Sequence, residues 1–306
     1  MLASMILRLV LAALAGLAPP QEPAAKPADA AAAEPGEVVS FFHDNGVKSR
    51  EGRLFHGRRE GKWKGWYDSG APWYEGEFHD YQRIGSWVYW QENGRKRMEG
   101  AWKKGERDGK WIFYHDDGGK QTEGVYENGS KTGHWVAWTP DGKKMNEGDF
   151  RFGVRDGTWT NYFPDTGEKW SEGPFVRGRQ EGVWKRWHKA TGKLEFEGSF
   201  ANNRETGMWH RFHPTGEPES EGHYLDGKMD GEWVGYHKNG QKSYQGRMEA
   251  GVPVGPWVHW YENGQKKAEG ELAANGKRTG PWRLWYEDGR PDEELSGEYV
   301  NGVKKQ

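Results

Sequence analysis

Two series of residues in this 306-residue chain have the types and spacing to do chemistry. One is a series of rings: Trp66, Trp90, Tyr114, Trp138, Tyr162, Trp187, Phe212, Tyr236, Trp260 and Trp285. The other is a series of carboxylates: Glu75, Glu99, Glu123, Glu147, Glu172, Glu197, Glu221 and Glu269, with Gln245 interrupting it. A surface of ring-plus-carboxylate units suits a glycan, through stacking and hydroxyl hydrogen bonds. It equally suits a peptide whose Lys and Arg make cation–π contacts. The plainer alternative is that the rings cover the second face of a curled sheet while Glu pairs with nearby Lys and Arg. Glycoside hydrolysis needs one carboxylate pair set apart from the rest. Here the Glu positions fall on every second strand, roughly 9–10 Å apart, and none is singled out. The 11 His read as scattered. His210 and His213, at i and i+3 in a strand, point to opposite faces. Neither a nucleophile elbow nor a phosphate-binding Gly motif is present. The expectation is a protein that is not an enzyme and that needs no cofactor and no metal.

What must position these series is a repeat. The stretch Tyr74 to Gly94 has the skeleton Glu75-Gly76-x-Phe78, a short polar loop, Gly85-x-Trp87-x-x-Trp90, then Asn93-Gly94. It recurs about ten times with a period of 24, becoming 25 twice, so the chain is an array. Asn-Gly or Asp-Gly between aromatic runs is a strong hairpin signal. Taken as a two-residue type I′ turn, Asn93-Gly94 sets Glu92 opposite Arg95, Trp90 opposite Arg97 and Trp87 opposite Gly100. If Phe78 faces Gly85, then Gly76 faces Trp87. One row across the sheet is then Gly76, Trp87, Gly100, Trp111, Gly124, Trp135, Gly148 and Trp159. A second row on the same face is Phe78, Gly85, Trp102, Gly109, Tyr126, Gly133 and Phe150. Each Gly, normally poor in a strand, leaves room for the neighbouring ring. This checkerboard is structural, and the ring-and-Glu series lies on the other face. The two 25-residue repeats should take their extra residue in three-residue loops, Asp165-Thr166-Gly167 and Ala190-Thr191-Gly192. The segment Pro291 to Glu294 signals a bulge or longer turn. The expected fold is all-β: an elongated, single-layer antiparallel meander of 21 or 22 short strands, with no helix.

The repeat resembles the MORN repeat, in the bacterial variant form found in antitoxin-type proteins. The matching residues include Tyr74, Gly76, Phe78, Gly85 and Gly94, with Tyr126, Gly129, Gly133 and Gly142 as equivalents. The resemblance covers residues 38–306. It implies an elongated sheet used as a binding or scaffolding surface, and the antitoxin type implies a protein partner. The eukaryotic form has Gly-x-Gly where this chain has Gly-x-Trp. Phosphoinositide membrane binding, a property of some eukaryotic members, is therefore not expected to carry over.

Composition narrows the partners. Lys plus Arg is 44 and Asp plus Glu is 46, so there is no general attraction to nucleic acid or anionic lipid. Only 34% of residues are apolar but 14% are aromatic, so burial must come from rings. With no Cys, disulfides, Cys-ligated zinc and a lipoprotein anchor are excluded. Residues 1–18 resemble a signal peptide, with Arg8, the apolar run Leu9 to Leu17 and the small-residue site Ala13-Leu14-Ala15. The run is too short to span a membrane comfortably. Residues 19–37 have the Ala/Pro composition of a linker. These features predict export to the periplasm or outside, or retention at the membrane by an uncleaved start. The expected partner is a protein, and the expected role is a binding or scaffolding surface in the envelope. A glycan or cell-wall module using the ring-plus-Glu face and an antitoxin-like protein are the alternatives.

Overall fold

The computed structural model describes residues 36–306. The signal-like segment 1–18 and all but the end of the linker lie outside the described residues. Glu37, counted with the linker from sequence, already opens the first strand, Glu37–Phe42. The described residues form 24 strands and no helix. They make one open antiparallel sheet in which each strand pairs with its neighbours in the chain. The strand count exceeds the expectation partly because Arg179–Gln180 and Gly182–Trp187 are one interrupted strand.

Both hairpin turns differ from the sequence reading, and in opposite directions. At Asn93-Gly94 only Gly94 has positive φ, at 81°. Gln91 N donates to Arg95 O at 2.8 Å and Gly94 N to Gln91 O at 2.9 Å. This is a three-residue loop, a type I turn closed by a left-handed Gly. Trp90 therefore pairs with Lys96 rather than Arg97, and a shift at Trp90 restores Tyr89 opposite Met98. The type I′ turns sit at the other end of the strands, in the segment read as a polar loop. His79 pairs with Gln82, and the intervening Asp80 and Tyr81 have φ of 49° and 65°. Lys104-Gly105 and Asn128-Gly129 turn in the same way. The two longer repeats close on Phe163–Glu168 and His188–Lys193, loops one residue longer than expected. The Trp/Gly pairing passes through both unchanged, as Trp159 opposite Gly173 and Trp184 opposite Gly198. The departure at Pro291 is present: Trp285 bridges to Pro291, and Ser296 Oγ donates to Leu284 O.

The first checkerboard row is in place. A Cβ added at Gly76, Gly100, Gly124 or Gly148 would stand 2.1–2.5 Å from the indole of Trp87, Trp111, Trp135 or Trp159 respectively. Each Gly receives the ring of the following strand only. The second row requires correction. Phe78 pairs with Arg83, not Gly85, because Gly85 and Ser86 form a bulge opposite Glu77. Gly85 is Gly for its φ of 63°, and a Cβ there would meet no ring. The bulge is one-sided, since Gly85 still pairs with Trp102 on the following strand. It leaves one carbonyl of the preceding strand without a ladder partner, and the indole supplies it. Trp87 Nε1 donates to Glu77 O at 3.2 Å, Trp111 to Ala101 O at 2.9 Å and Trp159 to Asp149 O at 2.9 Å. The other Gly-x-Trp residues, from Trp63 to Trp282, do the same. The Gly-x-Trp motif is thus a bulge plus the side chain that satisfies it.

These rings are the core. Trp63, Trp87, Trp111 and Trp159 are essentially inaccessible to solvent. A fully buried indole removes about 200 Å2 from water, worth up to ~5 kcal/mol. They alternate edge-to-face with the Phe/Tyr of the Glu-Gly strand. Tyr126 meets Trp135 at 5.1 Å and 89°, and Phe150 meets Trp159 at 5.1 Å and 89°. The file runs unbroken from Trp102 to Trp233. A cation two residues before the bulge Gly lies across each of several ring pairs. Arg83 covers Trp87 and Trp102, Lys131 covers Trp135 and Phe150, and Arg155 covers Trp159 and Phe175. Rings and guanidinium stems together do what a second layer does in a sandwich.

Candidate functional site

The ring series and the Glu series lie on the face opposite the core, where all of them are part-exposed. Alternation puts them there. Glu75 precedes Gly76 and Trp90 follows Tyr89 in the strands Pro72–His79 and Gln82–Trp90. The structure adds a third member to most of these units, a lysine three residues before the Glu. Lys96 Nζ is 2.7 Å from Glu99, Lys120 2.7 Å from Glu123 and Lys169 2.7 Å from Glu172. The same ammonium lies over the ring of the next strand, Lys120 at 5.7 Å from Trp138 and Lys169 at 5.8 Å from Trp187. Where the ring is Tyr, its hydroxyl also donates to the Glu: Tyr114 to Glu99 at 2.5 Å and Tyr236 to Glu221 at 2.8 Å. The bond from Lys120 holds Glu123 below the usual carboxylate range, against the opposing effect of burial. Burial, and then the bond to Glu99, raise the Tyr114 hydroxyl well above its ordinary value. At Gln245 the amide oxygen takes over the role, 2.8 Å from Lys242.

Lys144 and Lys266 belong to this lysine series. The signal was available, because Lys recurs at 48, 96, 120, 144, 169, 242 and 266. Five of the 11 histidines are in register. His43, His115, His188, His213 and His237 occupy one repeat position, opening the turns that end at Gly46, Gly118, Gly192, Gly216 and Gly240. Their Nε2 atoms lie 2.8–3.4 Å from the backbone oxygens of Trp66, Trp138, Phe212, Tyr236 and Trp260. Tyr67 and Tyr261 do the same with their hydroxyls, to Trp90 and Trp285. These seven bonds tie a turn to the ring residue at the end of the next hairpin and fix its backbone. His210 instead faces Glu221 at 3.2 Å. Among the described residues no group of His, Asp and Glu has the arrangement of a metal site. At the turn edge a groove of about 850 Å3 is lined by Tyr67, Gln91, Asn93, Met98, Phe113 and His115, among others.

The MORN repeat variant profile matches residues 59–80, 107–128 and 253–272. Each match runs from the residue two before the bulge Gly, through Gly-x-Trp and the turn ending in Gly70, Gly118 or Gly264, into the strand that follows. The chain carries MORN-variant repeats. The same register of hairpin, bulge and Trp/Gly pairing runs through the repeats between the matched ones. No relative was found among curated proteins. Among solved structures, the crystal structure of TcdB2-TccC3 matches at 10% identity over 87% of this chain and 17% of that one, with a TM-score of 0.19. The Photorhabdus luminescens Tc holotoxin pore matches at 10% identity over 88% and 19%, with a TM-score of 0.17. This chain spans less than a fifth of the length of either.

Proposed function

We propose that the chain is a non-enzymatic repeat protein that binds another protein, or scaffolds an assembly, in the cell envelope. The observation that carries this reading is the repeated Lys–Glu–ring unit on the face opposite the core. It offers the same part-exposed chemistry strand after strand, which suits an extended contact better than a single reacting centre. The Glu carboxylates already accept hydrogen bonds from Lys and Tyr of the same chain. That favours a protein partner over a glycan, which would need those acceptors for its hydroxyls. The envelope assignment rests on the signal-like residues 1–18.

The test is a pull-down from envelope extract with the full chain, compared with a variant carrying Glu123→Lys and Glu147→Lys. A protein retained by the first and lost with the second supports the reading. Retention of peptidoglycan fragments without protein would favour the glycan module. A mature product that still begins at Met1 in the cytoplasm would overturn export.

A further inference from the structure

The Lys–Glu–ring unit is complete in most repeats and lacks its lysine in three. Pro72, Leu194 and Pro218 stand where the others have Lys. This leaves Glu75 with Trp90, Glu197 with Phe212, and Glu221 with Tyr236. At Glu197 an ammonium is already in place, since Lys185 on the neighbouring strand lies 2.9 Å away. The two prolines are short, carry no donor, and leave the place of the ammonium open.

The complete units show what fits there. Lys120 Nζ sits 2.7 Å from Glu123 and 5.7 Å from the Trp138 ring centre. In the Tyr version, Lys144 sits 2.8 Å from Glu147 and 5.9 Å from Tyr162. The carboxylates without a strand lysine are the more open ones. The Glu75 and Glu221 side chains are 45% and 39% exposed, against 20–36% for Glu51, Glu99, Glu123, Glu147, Glu172 and Glu269. The cross-strand neighbour is unchanged, since Lys64 lies 3.6 Å from Glu75 just as Lys110 lies 3.5 Å from Glu123. Only the on-strand ammonium differs. At Glu221 the cross-strand neighbour is His210, at 3.2 Å.

We propose that Glu75 with Trp90, and Glu221 with Tyr236, each bind a lysine side chain of a partner protein, in the place the chain's own lysines occupy elsewhere. The carboxylate supplies a charge-assisted hydrogen bond and the ring face a cation–π contact. Both groups are held in position by neighbouring strands before the partner arrives, so little ordering is needed on binding. Lys64 stays 3.6 Å from Glu75 Oε2, just as Lys110 and Lys120 share Oε2 of Glu123 in the complete unit. The assignment of the ammonium to a partner protein rests on the protein-binding reading above.

The experiment uses the full chain labelled with 5-fluorotryptophan. The Trp90 fluorine resonance is identified by its loss in Trp90→Phe. The probe is an acetylated Gly-Lys repeat peptide, with its Nε-acetyl-lysine counterpart and spermidine as comparators. The Trp90 line should shift saturably with the lysine peptide and stay unmoved with the acetylated one. Pro72→Lys, which restores the repeat's own lysine, should weaken binding at this line by roughly fivefold or more without lowering the melting temperature. Pro218→Lys should leave the Trp90 response intact. Should Pro72→Lys fail to fold, Glu75→Gln serves, with the same loss expected. A Trp90 line unmoved by the lysine peptide, or moved equally in Pro72→Lys, overturns the site even if the pull-down returns a partner. Spermidine binding as well as the peptide would overturn the assignment to a protein lysine. A shifting line with no captured protein overturns only the protein-binding reading.

Discussion

Gly100 and Ala101 are neighbours with opposite constraints. A Cβ at Gly100 would stand 2.3 Å from the Trp111 indole, and that indole is fully buried and tied to Ala101 O. Gly100→Val should therefore cost about 3 kcal/mol or more by overpacking. Ala101→Val, on the other face, should change stability by no more than about 0.5 kcal/mol. Equal shifts in thermal melts would refute the seating of the ring. Lys131 offers a second test at this scale. Its ammonium lies 4.1 Å from the Trp135 ring centre, and burial, with smaller contributions from Arg107 and Arg155, pushes its pKa down to about 8. In the unfolded chain the value returns to about 10.4. Between these limits the unfolded chain binds more protons, so stability rises with pH across that window and is flat below it. The stability of the native protein relative to Lys131→Met should rise from pH 8 to 10. A flat difference in denaturation midpoint across that range would show that Lys131 is solvated.

The hairpin is the element on which sequence reasoning both succeeded and slipped. Its type I′ turns carry ordinary side chains in the left-handed region, Phe152 with φ 51° and Ala250 with φ 49° among them. The Phe152 ring is 80% exposed and so gains little from burial to offset the strain. Phe152→Asn should stabilise the protein by about 1 kcal/mol, read as a higher urea midpoint. A loss instead would mean that the ring holds a contact worth more than the strain. Asn-Gly was read as the type I′ site because it suits that turn best. It equally suits a type I turn with Gly in the third loop place, and the side chain then caps its own loop, as Asn93 Oδ1 accepts from Arg95 N. The Trp/Gly pairing survived because the extra loop residue and the shift at Trp90 cancel by the time Trp87 is reached. The bulge at Gly85 was not legible, because it depends on an indole finding a carbonyl across the strand pair. The ring and Glu series were legible from alternation alone. The lysine that completes the unit was visible as a periodic letter, but its reach over the ring of the next strand is a property of the assembled sheet.

Over the whole molecule, each strand packs mainly against its chain neighbours, so stability should be close to a sum over repeats and their junctions. Damage should stay local. Gly246→Val, which would drive a side chain into the Trp257 ring, should lower hydrogen-exchange protection in the repeats around Trp257 and leave that around Trp87 unchanged. A uniform loss along the chain would show a single cooperative unit. The junctions also have a direction. Every Gly-x-Trp indole leans back, onto the Gly and the carbonyl of the strand that precedes it in the chain. A tryptophan emerging from the ribosome thus finds its seat already synthesised, and the sheet can be laid down in the order of translation without waiting for later sequence. The two ends are unequal for the same reason. Removing the last repeat takes away a ring and leaves its Gly270 seat vacant, while Trp257 keeps both its own seat on Gly246 and its bond to Arg247 O. Removing the strand Lys48–Phe55 would leave Trp63 with neither its platform Gly52 nor the Arg53 carbonyl that its indole N–H bonds.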